Sequence, residues 1–474
     1  MTLRHKFLMS SLIALAAVSA CQSNTTGDTP PGTGGAGAGG VGASGATQRG
    51  GASGQGTGGQ PRGGGAGAAH AGTSGEAGGS DAGGSAGLGG SVGNSTGGMV
   101  DAGSSGAMSA ESGSANGGEA GAAGEAGAGQ SPNEFAYASG LFSGVFVCSV
   151  DPVNGAPNVH SGSPMGSKHA LGIAVDPSQR FVYVGGDDGH IDTYPIAADG
   201  SLPAAPSSTL TNAGFIFTIE PKGHFLYAAG STSVDTYEID SGTGALSPIG
   251  TPLHVGEAPD FEIPTYLAVD PTGNFLYLTH AAPGLRGYRI NRTSGELSEL
   301  AGSPFGVTGQ PDAVRTGAIA IKPSGDFLYT AGALLNSGGA LNGFKIEAGT
   351  GKLSLLDGSP FSLDTDADDY NTNIAMDPQG RYVYVTSAFQ RSHLSGFNIL
   401  TDGTLQEVPG SPLVTSSPYS VAVDPSGRFV YVGSDSGRTS VFSLIRSNGK
   451  LNELMTSPFL FGGLQPEIAF AKLH

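Results

Sequence analysis

The chain has 474 residues, with 83 Gly, two Cys, no Trp and a formal net charge of −18 at pH 7. That charge argues against nucleic acid as a partner and against broad electrostatic adhesion to anionic lipid. So much glycine cannot be spread evenly through one packed domain, and it is concentrated between residue 21 and about residue 130. From about Glu134 onward the chain is rich in Val, Ile, Phe, Tyr and Leu, which indicates a globular domain behind a leader and a linker.

Residues 1–20 have the features of a signal peptide. A basic start at residues 4–6 precedes an apolar run from Phe7 to Val18, which is too short to span a bilayer. The run ends in VSAC, and this ending resembles the lipobox of bacterial lipoproteins, in which the cysteine becomes the lipidated N-terminus. We therefore expect Cys21 to hold an exported protein to the membrane. An ordinary secretory signal with a cysteine at its cleavage site is the alternative.

Gln22, rather than Asp, follows that cysteine. In bacteria where this position sorts lipoproteins, it favours the outer membrane, so we expect a lipid-anchored protein of the bacterial cell envelope, on the periplasmic face or the cell surface. Export leads to an oxidising compartment, but a lipidated Cys21 leaves Cys148 without an intramolecular partner. Cys148 lies in the strand-like run GVFVCSV and is interpreted as a small buried hydrophobic residue.

Residues 21–132 are predicted to form a disordered tether. They are Gly, Ala, Ser and Thr with scattered Glu and Gln, so they bury too little apolar area to offset chain entropy. No period of three with proline is present, which excludes collagen. A Gly-rich coil of about 110 residues has an rms reach of roughly 60 Å, enough to hold a globular domain clear of a crowded membrane.

One phrase recurs six times in residues 133–474. Each copy has an apolar run, a turn of the type Asp-Pro-x-Gly and a second apolar run of the type Phe-Val-Tyr-Val. Proline presets φ in such a turn, glycine permits the fold-back and aspartate bonds its own backbone. The turn prolines are 44 to 55 residues apart, and they are Pro177, Pro221, Pro271, Pro323, Pro378 and Pro425. A strand-only period of this length is typical of propeller blades.

Each repeat continues with a third apolar run, such as TSVFSL from Thr439 to Leu444, and a Gly-x-Leu turn into an outer strand. Four strands per repeat result. Near Pro466 a seventh first strand begins with nothing behind it, while FAYASG, GVFVCSV and the turn at Asn154-Gly155 supply second, third and fourth strands without a first. The fold class is therefore predicted as all-β, a seven-bladed β-propeller with one blade closed by N- and C-terminal strands. An open solenoid or a six-bladed ring is the alternative.

The phrase DPSGRFVYV from Asp424 to Val432, the Gly-x-Leu turns and the GSPF motifs at Gly302 and Gly358 resemble the lactonase family of seven-bladed propellers. That family includes propeller-type 6-phosphogluconolactonases, and the resemblance covers about residues 134–474. It implies lactone chemistry by His, Arg and Glu side chains at one end of a central funnel, with no required cofactor. A recurrent Pro-His signature of the family, with the histidine six residues before the turn proline, is absent here.

The segments before the first strands are expected to line one mouth of the channel. They carry His169, Glu262, Arg315, Asn371, Asn373, Tyr419 and Glu467. Mixed charges at a concave mouth suit acid–base chemistry on a lactone or sugar-acid ester. We expect Arg315 to polarise the carbonyl and His169 or Glu262 to move the proton, while the other four bind the substrate. Because loops make any propeller mouth polar, a non-catalytic propeller that binds a glycan or a protein partner is the alternative.

Three carboxylates, Asp364, Asp366 and Asp368, are spaced along the segment SLDTDADDYNTN. Oxygen ligands are what Ca²⁺ requires, so these residues are a candidate Ca²⁺ site. The EF-hand pattern fails, since its sixth position is Asp369 rather than Gly and its twelfth is Ala375 rather than Glu. A solvated acidic loop is the alternative.

Overall fold

The computed structural model describes residues 133–166, 170–214, 216–230, 232–255, 264–280, 284–306, 314–334, 338–363, 370–388 and 392–473. The predicted signal peptide, Cys21 and the tether up to residue 132 lie outside these ranges. The chain divides into two units, residues 27–126 and the remainder, and every described residue belongs to the second unit. Within the described ranges the regular structure consists of strands, and no helix has the length and apolarity to cross a membrane.

The described strands form seven antiparallel sheets, which are the blades. The closing blade combines β1 (Glu134–Ala138), β2 (Phe146–Val150) and β3 (Pro157–Val159) with the C-terminal β30 (Ile468–Lys472). Blade 1 contains β4 (Ala170–Val175), β5 (Phe181–Gly186), β6 (Ile191–Pro195) and β7 (Ser208–Leu210). Blade 2 contains β8 (Ile216–Ile219), β9 (Phe225–Ala229), β10 (Ser233–Ile239) and β11 (Leu246–His254). Blade 3 contains β12 (Pro264–Val269), β13 (Phe275–His280), β14 (Leu285–Ile290) and β15 (Leu297–Glu299).

The remaining blades have the same order from the first strand to the outer strand, and two of them carry an additional short strand. Blade 4 contains β16 (Val314–Ile321), β17 (Phe327–Leu334), β18 (Gly338–Ile346), β19 (Leu353–Leu355) and β20 (Phe361–Ser362). Blade 5 contains β21 (Tyr370–Met376), β22 (Tyr382–Ala388), β23 (His393–Ile399), β24 (Leu405–Glu407) and β25 (Leu413–Val414). Blade 6 contains β26 (Pro418–Val423), β27 (Phe429–Ser434), β28 (Thr439–Leu444) and β29 (Leu451–Glu453).

The two ends of the propeller sequence complete one blade together. Strand β30 pairs with β1 in antiparallel register, with Tyr137 opposite Ala469. The first strands β4, β8, β12, β16, β21, β26 and β30 contact one another in a closed circle, so they surround an axial channel. The prediction of seven blades, one of them split between the termini, is confirmed. Closure also removes the exposed sheet edge that an open array would leave.

The recurring turn is organised by its acidic residue. In blade 6, Asp424 is fully buried and its Oδ1 accepts hydrogen bonds from the amides of Arg428 at 2.8 Å and Phe429 at 2.7 Å. Its Oδ2 accepts from the amide of Ser426, two residues on, as the turn chemistry predicts. The carboxylate thus joins the end of the first strand to the start of the second.

Each blade is joined to the next by a tyrosine at the centre of its second strand. The tyrosine is fully buried, and its hydroxyl donates to the carbonyl of a turn glycine in the following blade at 2.6–3.1 Å. The seven pairs are Tyr137–Gly200, Tyr183–Gly244, Tyr227–Gly295, Tyr277–Gly351, Tyr329–Gly403, Tyr384–Gly449 and Tyr431–Gly155.

The same turn has no room for a side chain. Gly351 has a φ of +74°, and a Cβ added there would lie 2.4 Å from Cδ1 of Phe275 in the preceding blade. An L-residue would therefore meet both backbone strain and steric overlap. Gly349, in the same turn, has a φ of +81° but no heavy atom within 4 Å of the equivalent Cβ.

These two glycines separate the effect of strain from that of contact. We expect Gly349→Ala to lower the free energy of unfolding by about 1 kcal/mol, the cost of a left-handed alanine. Gly351→Ala is expected to lower it by a further 1–3 kcal/mol or so, because Phe275 must move. Urea denaturation of the full chain measures both. Equal losses would show that the packing of blade 4 against blade 3 does not depend on this contact.

Candidate functional site

The candidate site lies at the end of the channel where the first strands begin. In or directly before each first strand, one position stands two residues before the residue that pairs with the central tyrosine. Small or apolar residues occupy it in blades 1, 2 and 4, which are Gly172, Ile216 and Ala318. Polar residues occupy it in blades 3, 5 and 6 and in the closing blade, which are Tyr266, Asn373, Ser420 and Glu467.

A β-bulge precedes or includes this position in five blades. Strands β4, β12, β16, β21 and β26 each contain one extra residue there relative to the second strand. In β26 the extra residue is Tyr419, which lies between the Pro418–Ser434 and Ser420–Gly433 pairs. Bulges bend a strand and re-aim its side chains, and they are frequent beside functional sites.

Tyr266 of blade 3 connects the polar positions. It packs against the cluster of buried residues that contains Ala318 of blade 4, and its side chain hydrogen-bonds to Asn373 of blade 5. Burial raises the pKa of Tyr266 well above its ordinary value, and the nearby Glu467 and Tyr419 raise it further. Tyr266, Asn373, Tyr419 and Glu467, from four blades, therefore converge.

Asn373 is held in a fixed orientation. It is 9% exposed, and its Oδ1 accepts a hydrogen bond from the amide of Ile374 at 2.8 Å. Its side-chain hydrogen bond to Tyr266 lowers the pKa of the phenol in part.

Glu467 brings a carboxyl that titrates near neutrality. Burial raises its pKa from 4.5 to about 7. The residue nevertheless keeps part of its surface accessible, as expected of a side chain that is surrounded by protein but borders a channel. Both the acid and the carboxylate are therefore populated at neutral pH, which is what proton transfer requires.

Two strained residues lie beside the site. Ser417 has a φ of +43° and Gln465 a φ of +52°, the left-handed region that non-glycine residues rarely adopt. Each stands two residues before a site residue, Tyr419 and Glu467 respectively. Strain of this kind persists where the surrounding structure over-determines the backbone, often at functional sites.

Three of the predicted site residues, Asn373, Tyr419 and Glu467, lie together around Tyr266. The backbone of Asn371 pairs with Ser387 and that of Arg315 with Ala333, while their side chains lie outside the described ones. His169, Glu262, Asp364, Asp366 and Asp368 are also outside the described residues, so their roles stay predictions.

Other reactive groups of the described chain do not add to this site. Among the described residues, no group of three or more His, Cys, Asp or Glu side chains is arranged to hold a metal ion. Cys148 is fully buried in β2, and burial raises the pKa of its thiol well above the ordinary value. The interpretation of Cys148 as a small buried hydrophobic residue is confirmed.

Sequence reasoning missed Tyr266. It stands five residues before Pro271, as Asn373 stands five before Pro378, so alignment of the copies on the turn proline was the available signal. The Pro-His signature of the resembling family instead indicates the position six residues before that proline, which is Thr265 in this blade.

Comparisons with known proteins agree with the ring of blades. The family described as "Lactonase, 7-bladed beta-propeller" matches residues 319–460. The chain is a seven-bladed β-propeller that is similar to this family over that stretch. It is 25% identical over 307 residues to a 6-phosphogluconolactonase of Yersinia pestis (strain Pestoides F), a match that covers 60% of this chain and 83% of that protein.

Solved structures share the fold of this propeller. The periplasmic gluconolactonase of Pseudomonas aeruginosa matches with a TM-score of 0.58 at 19% identity, over 72% of this chain and 100% of that one. A protein from Lactobacillus plantarum matches with a TM-score of 0.58 at 17% identity, over 72% of this chain and 99% of that one. At these identities the likeness concerns the fold alone.

Glu467 is expected to make stability depend on pH. Because its pKa is higher in the folded protein, the folded state holds a proton that the unfolded state releases between pH 4.5 and about 7. Stability that is present below pH 4.5 is therefore lost as pH rises through 7. After a discount for partial exposure, Glu467→Gln should raise the free energy of unfolding by about 2 kcal/mol at pH 8.5 and leave it unchanged at pH 4.

Urea denaturation across this pH range measures the effect, with the exposed Glu407→Gln as the control. A second carboxyl, Glu134, also has its pKa raised to about 7, by burial and by the neighbouring Asp424, so the Glu467→Gln protein should keep part of the dependence. Parallel pH curves for the wild type and Glu467→Gln would contradict the account of Glu467.

Proposed function

We propose that the protein hydrolyses a lactone at the mouth of its axial channel. The observation that carries the proposal is the convergence of Tyr266, Asn373 and Glu467 from three blades, with a carboxyl whose pKa lies near 7. The similarity to a 6-phosphogluconolactonase over 60% of the chain supports the same reaction type.

The groups fit the demands of the reaction. Water must lose a proton as its oxygen bonds to the carbonyl carbon, negative charge then develops on the carbonyl oxygen, and the ring oxygen must gain a proton as its bond to that carbon breaks. The Glu467 carboxylate accepts the first proton, and the resulting acid returns it to the ring oxygen. Tyr266 stays neutral because its pKa is raised, so it can donate to the carbonyl oxygen, and Asn373 holds its ring in place.

The described side chains favour an uncharged sugar lactone. Those that converge are neutral or acidic, and a phosphate group beside Glu467 would require a compensating cation. Arg315 is the predicted source of one, and its side chain lies outside the described ones. In this proposal Arg315 polarises the carbonyl together with Tyr266. His169 and Glu262 remain candidates for proton transfer, Asn371 and Tyr419 for substrate contact, and Ca²⁺ at Asp364, Asp366 and Asp368 is not required.

Purified full chain is expected to open gluconic δ-lactone faster than buffer does, and faster than it opens the 6-phosphorylated lactone. Glu467→Gln should lower kcat/KM by at least about 100-fold, the usual worth of a general acid–base group. The exposed Glu407→Gln serves as the control and should not change it. A pH-stat assay that records acid release gives both rates.

A rate indistinguishable from buffer across a panel of lactones would refute the hydrolytic proposal. Saturable binding of a lactone, glycan or protein without turnover would then assign the mouth to recognition, which is the alternative function. Faster opening of the phosphorylated lactone would instead indicate that a cation binds the phosphate group, with Arg315 as the candidate, and would refute the preference for an uncharged lactone.

We also propose that lipidated Cys21 anchors the propeller in the outer membrane of a bacterial envelope, with the tether of residues 21–132 as a spacer. The support is the VSAC ending of the apolar run and the residue Gln22 after it. The chain holds a single further cysteine, the buried Cys148, which provides a matched control.

In bacteria fed a palmitate analogue, wild type and Cys148→Ala should carry the label and remain in the membrane fraction, since a diacylated cysteine anchors stably. Cys21→Ala should lose the label and appear in the soluble fraction. Label on the Cys21→Ala protein, or membrane retention without any label, would contradict lipid anchoring through this residue.

A further inference from the structure

A buried serine from the N-terminal part of the propeller contacts the backbone of Glu467. Ser139 directly follows β1 and is 0% exposed. Its amide donates to the Glu467 carbonyl at 2.9 Å, and its hydroxyl oxygen accepts from the Glu467 amide at 3.0 Å. Both backbone polar groups of Glu467 are thus held by one residue that is 328 positions away in sequence.

The same hydroxyl also reaches the next blade. Ser139 Oγ donates to the carbonyl of Leu171 at 2.9 Å, in the bulge at the start of β4. On the other side of Glu467, Pro466 is buried against Gly433 of blade 6, where an added Cβ would lie 2.5 Å from the proline Cγ. The segment that carries the carboxyl is therefore held between three blades, and Ser139 supplies its polar contacts.

Equivalent hydroxyls lie behind two other polar site residues. Two residues after the central tyrosine, blade 3 has Thr279 and blade 5 has Thr386, and their hydroxyls donate to the carbonyls of Tyr266 and Asn373 at 3.4 Å. Where the channel position is Gly172, Ile216 or Ala318, the equivalent residue lacks a hydroxyl, being Gly185, Ala229 or Ala331. Blade 6 is the exception, since Ser420 stands opposite Gly433.

We propose that Ser139 is a positioning residue for Glu467. Its hydroxyl fixes the backbone from which the carboxyl projects and ties that backbone to blade 1. Without it the segment gains freedom, and the carboxyl can rotate toward water in the channel. The inference rests on the proposed function only in the role given to Glu467, because the titration of its carboxyl can be measured without any substrate.

The test is the titration of the Glu467 carboxyl in the full chain, followed by ¹³C NMR of glutamate-labelled protein and assigned by its loss in Glu467→Gln. The difference isolates Glu467 from Glu134, which titrates in the same range. Tyr266, which interacts with Glu467, does not titrate in the pH range of this experiment, because its pKa is raised well above its ordinary value. The variants are Ser139→Ala, Ser139→Thr and Thr279→Ala, each checked for folding by thermal denaturation.

In Ser139→Ala the midpoint is expected to fall by about one pH unit from its value near 7, toward the 4.5 of a solvated carboxyl. Ser139→Thr keeps the hydroxyl, in a position where two sister blades carry threonine, and should retain the wild-type midpoint. Thr279→Ala removes an equivalent hydroxyl behind Tyr266 and should not move it.

An unchanged midpoint in folded Ser139→Ala would overturn the proposal. So would a fall in Ser139→Thr equal to that in Ser139→Ala, because the hydroxyl would then not be what matters, or an equal fall in Thr279→Ala. If the wild type hydrolyses no lactone but Ser139→Ala still lowers the midpoint, the proposed function fails and the positioning role stands. If the wild type is active, its pH–rate profile should shift with the same midpoint.

Discussion

A hydrogen bond from a buried tyrosine to a turn glycine of the next blade is the contact on which the ring depends. A single bond of this kind contributes only about 1 kcal/mol, but it recurs at all seven junctions between blades. Because each bond joins one blade to the next, the set is complete only in a closed circle. Two of the seven bonds, Tyr431–Gly155 and Tyr137–Gly200, pass through the N-terminal fragment of the closing blade.

Closure also assembles the site. Glu467 comes from the C-terminal segment that leads into β30, its backbone is bonded to Ser139 beside β1, and its charge acts on Tyr266 of blade 3. The repeated contacts lie between the blades, whereas the residues that differ from blade to blade face the mouth of the channel. A regular scaffold can therefore carry an irregular set of polar groups, because Tyr266 and Glu467 occupy a position where Gly172 or Ala318 serves the fold equally well.

The fold could be predicted from the sequence because its signals are local. The Asp-Pro-x-Gly turn around Pro425 and the alternation of Phe429 and Tyr431 specify a hairpin without reference to the rest of the chain, and the incomplete repeats at the two ends specify closure. The site could be predicted only in part. Asn373, Tyr419 and Glu467 follow from their place in or directly before a first strand. Tyr266 of blade 3 instead reaches Asn373 of blade 5, and the pKa of Glu467 depends on burial in the folded chain. Those are tertiary effects that no local pattern contains.

If the polar groups of four blades form one binding site in the channel, a substrate analogue should bind there. A crystal structure of the full chain with a sugar lactam, an analogue that resists opening by water, would show where it binds. Density is expected for the lactam ring at the channel mouth, with its carbonyl oxygen within hydrogen-bond distance of Tyr266 and its ring nitrogen beside Glu467. Density for the analogue outside the channel, with the mouth empty at saturating concentration, would contradict one binding site in the channel.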